Sequence, residues 1–231
     1  MSKSILVIAA HPDDEVLGCG GTIARHVSEG DKVHVVILAE GLTSRDPSRN
    51  REEREEELSL LGEAAKKANS ILGVHVLRLH NFPDNRMDSL HLLDVTKTVE
   101  NFIEEFQPEI VYTHHGGDVN IDHRIIHQAV ITATRPIFPH TVKTLLFFET
   151  ASSTEWMPMG SAPGFHPNWF VDISKSLGKK LKALEAYESE MRAWPHSRSI
   201  KALEHLAYWR GASSGVNAAE AFFLGRNILT Y

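Results

Sequence analysis

Short, apolar, β-branched runs punctuate the chain at SILVIAA (4–10), VHVVILA (33–39), VHVLRL (74–79), EIVYT (109–113), TLLFFE (144–149) and NWFVDI (168–173). Runs of this length, each closed by polar or turn residues, predict buried strands. Between them the spacing turns helical. Residues 16–29 carry Val16, Leu17, Ile23, Ala24 and Val27 at near-helical intervals, and Gly30-Asp31 stops the run. From 48 to about 71 an Arg- and Glu-rich stretch carries Leu58, Leu61, Ala65 and Ala68 as an apolar stripe, which predicts an exposed helix whose charge run RNREEREEE is its solvated face. A third helix spans about 90–106, ahead of Pro108, and DHRIIHQAVITA (122–133) starts another beyond the fourth strand. The last third reads as two more helices, SLGKKLKALEAYESEM and SIKALEHLAYWRG, before AAEAFFL packs back onto the sheet.

Strand alternating with helix predicts an α/β fold, a Rossmann-like layered arrangement with a mostly parallel sheet covered by helices on both faces. In such sheets the ligand crevice lies outside the carboxyl ends of the strands. The residues there are unusually polar: HPDDE after the first strand, Glu40-Gly41 after the second, His80 to Arg86 after the third, and the long run from His114 to His123 after the fourth. Three adjacent carboxylates at the edge of a core repel one another and are costly to bury unless a cation neutralises them. A bound metal ion meets that need.

Composition narrows the classes. The 231 residues, 42% hydrophobic and 23% charged with a formal charge of -6, have no low-complexity linker and read as one domain, 1–231, without the broad basic surface that nucleic acid requires. The lone Cys19 excludes an intrachain disulfide, and the N-terminal apolar run is too short for a signal peptide or a membrane span, so a cytoplasmic protein is expected. Nothing in the pattern fixes oligomeric state, which leaves room for a homo-oligomer.

Zinc and similar ions take imidazole nitrogen and carboxylate oxygen, and catalytic sites use three protein ligands with a position left open. His11 and Asp14, three apart at a strand-to-helix turn, can face one ion, and His123 is the strongest candidate for the third ligand. Asp122 either caps the helix or bonds a ligand imidazole. A plainer reading makes HPDD a turn whose Asp13 or Asp14 caps the following helix, with His114 and His115 as surface residues and Glu40 as a helix-flanking charge.

The stretch AAHPDDEVLGCGGTIA resembles the signature of the LmbE-like or PIG-L family of metal-dependent N-acetylglucosaminyl deacetylases, and THHGGDVNIDHR resembles that family's second metal motif. NFPDNRMDS, FETASSTEW, PHSRS and AAEAFF are similar to weaker family blocks, so the resemblance spans nearly the whole chain. It implies that His11, Asp14 and His123 bind zinc (Fe2+ also suits such ligands), that Asp13 is the general base, and that the substrate is a small-molecule or glycan N-acetylhexosaminyl compound, which releases acetate. One position departs. Where the family motif often reads His-x-Asp-His, this chain has Asn120-Ile121-Asp122-His123, and Asn120 cannot carry a proton. His114 or His115 is left as an alternative for that task. Glu40, Arg45, Asp84, Asn85 and Arg86 form a polar rim suited to sugar hydroxyls.

Two other classes compete. A nucleotide-cofactor oxidoreductase would use Gly18-Cys19-Gly20-Gly21 with Glu40 on a ribose, but the third glycine of that fingerprint falls on Ile23 and the HPDDE anions would repel a pyrophosphate. A catalytically silent sugar- or metal-binding module is the other, and the intact Asp13 argues against it.

Overall fold

The computed structural model describes residues 2–139 and 141–229. Seven strands form one sheet in the order β3-β2-β1-β4-β5-β7-β6. β1 (Ser4–Ala9), β2 (Lys32–Ala39), β3 (Val76–Phe82), β4 (Ile110–His114) and β5 (Thr144–Phe148) run parallel, while β7 (Ala219–Asn227) is antiparallel to β5 and β6 (Trp169–Asp172) is antiparallel to β7. The strict two-residue alternation of β1 explains its place at the centre: Ile5, Val7 and Ala9 enter one core layer and Leu6, Ile8 and Ala10 the other. α1 (Asp14–Ser28), α2 (Glu55–Leu72) and α5 (Leu177–Glu185) cover the first face; α3 (Leu92–Phe106) and α4 (Ile121–Ala133) cover the second. α6 (Ile200–Ser214) packs on α5 and β7. Among the described residues no helix is long and apolar enough to cross a membrane.

Several sequence expectations shift. The second helix starts at Glu55, not at 48, because Arg49 and Arg51 reach the Glu40 carboxylate (2.8 and 2.7 Å) and Arg54 reaches Asp46 (2.8 Å). The arginines of RNREEREEE are thus tied into a loop, and its solvated face begins only with the glutamates of α2. β3 continues through His80, Asn81 and Phe82, which the pattern placed in a loop, because an edge strand tolerates polar side chains. α5 ends at Glu185, short of 191, because Tyr187 turns into the core, where it is fully buried. The chain that follows is free to carry Glu190 and Arg198 to the carboxyl edge of the sheet.

α1 is broken at Cys19 (φ -146°, ψ 23°). The buried Lys180 ammonium donates to Leu17 O (2.9 Å) at the end of the first half, and Glu220 accepts from Gly21 N (3.0 Å) and Thr22 N (2.7 Å) at the start of the second. Backbone groups that the kink orphans are thereby satisfied. A methyl group at Gly18 would strike the Phe148 ring and one at Gly21 would strike Ile173. These glycines therefore serve close packing of α1, which leaves no role for them in a cofactor fingerprint.

Candidate metal centre and active site

β1 and β4 are neighbours from which the chain leaves to opposite faces of the sheet, the switch point where α/β sheets open a crevice. A cavity of about 180 Å³ sits there, with His11, Asp13, Asp14 and His123 among its lining. A wider depression of about 920 Å³ lies by the C-terminal end of α1, beside Arg25 and Ser28, and holds no imidazole.

Residues 10–13 join β1 to α1, and Asp13 turns the chain with φ 118°. Its backbone carbonyl accepts from Val16 N (3.0 Å) and Leu17 N (2.8 Å), while its side chain makes no capping bond. The two adjacent carboxylates consequently diverge. Asp14 Oδ2 lies 3.3 Å from His11 Nδ1 and 3.2 Å from His123 Nε2; Asp13 Oδ2 accepts from Arg198 Nη1 at 3.0 Å. Left-handed backbone is rare for residues other than glycine, and four of the five described here, Asp13, Leu42, Asn85 and Ser152, line this one cavity.

Each imidazole is backed by a carboxylate on its other nitrogen. His11 Nε2 lies 2.9 Å from Asp122 Oδ2 and 3.2 Å from Asp84 Oδ1, and His123 Nδ1 lies 3.2 Å from Asp118 Oδ2. Asp122 in turn accepts from Asn85 N (2.6 Å) and Met87 N (3.0 Å), and Asp118 accepts from Ser153 Oγ, Thr154 Oγ1 (2.7 Å) and Asn120 N (2.8 Å). Such backing fixes ring orientation in metal sites. The ligand atoms of His11, Asp14 and His123 lie within 4.8 Å of one another, as do those of His11, Asp84 and Asp122. The first set offers two imidazole nitrogens and one carboxylate, whereas Asp84 and Asp122 both face the same nitrogen of His11, Nε2, so the first set suits an ion better.

The electrostatics agree with a cation. Burial opposes a charged imidazole, yet Asp14 and Asp118 push the His123 pKa up to about 9, and Asp122, Asp14 and Asp84 likewise raise that of His11. Burial would raise the Asp14 carboxyl, but His123 and His11 hold it well below the usual range. Without metal the site keeps two protons where one divalent ion carries the same charge, so the residues present fit such an ion. Asp13 differs. Burial, followed by the Asp14 charge, raises its pKa, and Arg198 opposes them.

A sequence profile of the GlcNAc-PI de-N-acetylase family, PIG-L, matches residues 6–134. An uncharacterized deacetylase of Escherichia coli is 33% identical over 193 residues, which cover 81% of this chain and 91% of that protein. The chain belongs to the PIG-L family. It is an enzyme of the deacetylase kind that this family comprises. The diacetylchitobiose deacetylase of Thermococcus kodakarensis is 28% identical over 248 residues, covering 94% of this chain and 81% of the relative. Among solved structures, the 4-carboxy-2-hydroxymuconate hydratase of Pseudomonas putida superposes with a TM-score of 0.73 at 24% identity, over 99% of this chain and 98% of that one. One fold carries two chemistries, so the residues of the site and not the fold decide the reaction.

Of the residues named from sequence, the structure gathers His11, Asp13, Asp14, Asp84, Asn85, Asn120 and His123 around the cavity, with Arg45 at its wall. Others lie elsewhere. Glu40 is buried under Arg49, Arg51 and Thr43, and Arg86 donates to Asp46 O (2.9 Å) and Pro47 O (3.2 Å), so neither borders the cavity. His114 stacks on His123 at 3.8 Å but is sealed in: its Nε2 accepts from Ala10 N (2.9 Å), and its Nδ1 lies 3.2 Å from Thr150 Oγ1. His115 Nε2 donates to Pro163 O (2.9 Å). Asn120 is the helix cap, with its Oδ1 accepting from Asp122 N (2.9 Å) and its Nδ2 donating to Asn85 Oδ1 (2.9 Å); Asp122 is freed to hold His11. Sequence reasoning missed Asp118, Glu190 and Arg198. Glu190 bridges Arg198 (3.6 Å) and Arg45 (2.9 Å).

Proposed function

We propose that the protein is a metal-dependent hydrolase that removes the N-acetyl group of an N-acetylglucosaminyl-type substrate and releases acetate and a free amine. The observation that carries this reading is the divergence of Asp13 and Asp14: one carboxylate faces both imidazoles, and the other faces the cavity and an arginine. His11, Asp14 and His123 would hold the ion, and two nitrogens with one oxygen suit zinc first and iron(II) second. When bound, such an ion supplies Lewis acidity, polarising the acetamide carbonyl and making a water more acidic.

The chain's own residues move the proton. Asp13 takes it from the attacking water and returns it to the leaving nitrogen, while Arg198 orients the carboxylate and counters the rise in its pKa that burial causes. His114, with both ring nitrogens engaged, does not serve as the acid. Asn85, Asn120, Ser44 and Arg45 present polar atoms for sugar hydroxyls, and a cavity of about 180 Å³ suits a single acetamido sugar ring.

The test separates the two aspartates. Asp13→Asn should keep its metal and lose about 10²–10⁴-fold in acetate release, the usual contribution of a general base. Asp14→Asn should lose the metal itself. The reverse pattern would mean the roles are exchanged.

A further inference from the structure

HPDDE contains a third carboxylate that neither the metal set nor the proton transfer uses. Glu15 is fully buried and does not border the cavity. Its Oε1 accepts from Tyr187 Oη (2.6 Å) and Asn69 Nδ2 (2.8 Å), and its Oε2 accepts from the backbone N–H of Asp13 (3.2 Å). Three donors converge on it from α2, from the turn after α5 and from the Asp13 turn.

We propose that Glu15 is a positioning residue: it holds the backbone of Asp13 so that the Asp13 side chain points into the cavity, away from the ion. The inference rests on the reading of Asp13 as the base. Asp13 sits at φ 118°, a conformation an aspartate leaves unless its surroundings impose it. Its neighbours impose it from three directions. Val16 and Leu17 donate to its carbonyl, Arg198 grips its carboxylate, and Glu15 accepts from its amide. Of these, only the Glu15 contact fixes the amide, about which φ turns. Relaxation there would swing the Asp13 carboxylate relative to Asp14, and the divergence on which the mechanism depends would be lost. Tyr187 and Asn69, both buried, keep Glu15 from following.

Glu15→Gln isolates this contact. The amide oxygen of the new side chain is drawn to the two donors of Tyr187 and Asn69, which turns its NH2 against the Asp13 N–H and replaces a hydrogen bond by two opposed donors. The experiment compares Glu15→Gln, Asp13→Asn and the double variant, each loaded with zinc and assayed for acetate release from N-acetylglucosamine, alongside metal content and thermal melting. The expected result is a folded, fully metallated Glu15→Gln protein whose kcat falls about 10- to 100-fold with KM nearly unchanged, as for a reacting group displaced by about 1 Å. In the Asp13→Asn background the same change should cost under about 3-fold, because the two act as one unit.

An equal loss in both backgrounds, a wild-type kcat, or a loss that follows metal content overturns the proposal. Should Glu15→Gln fail to fold, Tyr187→Phe, which removes the shortest anchor, should show a smaller loss that again vanishes with Asp13→Asn; an additive loss overturns it. Full activity in the single Asp13→Asn variant overturns the base assignment, and this inference with it, and is read independently of Glu15.

Discussion

Arg198 is the cation that faces the proposed base, and replacing it by Gln tests how far it lowers the Asp13 pKa. Burial, Asp14, Glu190 and Glu15 all push the Asp13 pKa up, and Arg198 pulls it down across a contact of 3.0 Å. Unit charges about 4 Å apart are worth roughly 4 kcal/mol at an effective dielectric near 20. The Arg198 side chain is 29% exposed and shares its charge with Glu190, so solvent and that partner leave a fraction of this. Carboxylates beside an arginine shift by about 1–3 units, and at about 1.36 kcal/mol per unit only the lower part of that range, about 1–2 units, fits within a fraction of about 4 kcal/mol. A bound cation acts on Asp13 in wild type and variant alike, so the difference survives metallation. The assay is kcat/KM for acetate release against pH, which reports the free enzyme. A base works above its pKa, so Arg198→Gln should move the acidic limb up by about 1–2 units. Glu190→Gln, which removes a negative charge near Asp13, should move it down. A uniform loss at every pH with the limb unmoved would refute the reasoning and leave Arg198 as a substrate contact.

Two more outcomes follow from the backing carboxylates. Asp118→Asn should weaken zinc affinity about 10- to 100-fold in a competition titration while the fold persists, because the His123 ring loses its orienting partner; unchanged affinity would contradict the role. In the metal-free protein the folded-state pKa of His123, about 9, lies above its ordinary 6.5. The stability this contributes is complete below about pH 6.5 and is lost as pH rises through about 9. Thermal melts in chelator should therefore fall across that window while the zinc-loaded protein holds steady, and a flat metal-free profile would count against the buried imidazolium.

The parallel sheet was legible because its buried strands are continuous apolar runs, and β1 alternates into both layers without a polar interruption. HPDDE and Asp-His were legible because the spacing within each is local. What lay hidden was long-range. Arg198 meets Asp13 across 185 positions, and nothing near PHSRS marks an arginine as a partner of a carboxylate at the other end of the chain. Asp118 was within reach, since an acid between a Gly-Gly turn and the Asn-x-Asp-His run is well placed to meet a ligand imidazole. Glu40 and Arg86 follow their strands as rim residues would, yet both are drawn to the 46–51 loop, because Glu40 finds arginines there and Arg86 finds free carbonyls. The start of α2 was missed for the same reason. Helical spacing says nothing about partners that compete for the arginines ahead of it.

The most direct test of the account is a paired count of acetate and free amine released from N-acetylglucosamine and N,N′-diacetylchitobiose by the zinc-loaded protein, with a chelated sample and an unsaturated dicarboxylate run alongside. One acetate per amine, loss of turnover on chelation and no addition of water to the dicarboxylate are expected. A folded, fully metallated protein that releases no acetate while hydrating the dicarboxylate would contradict it.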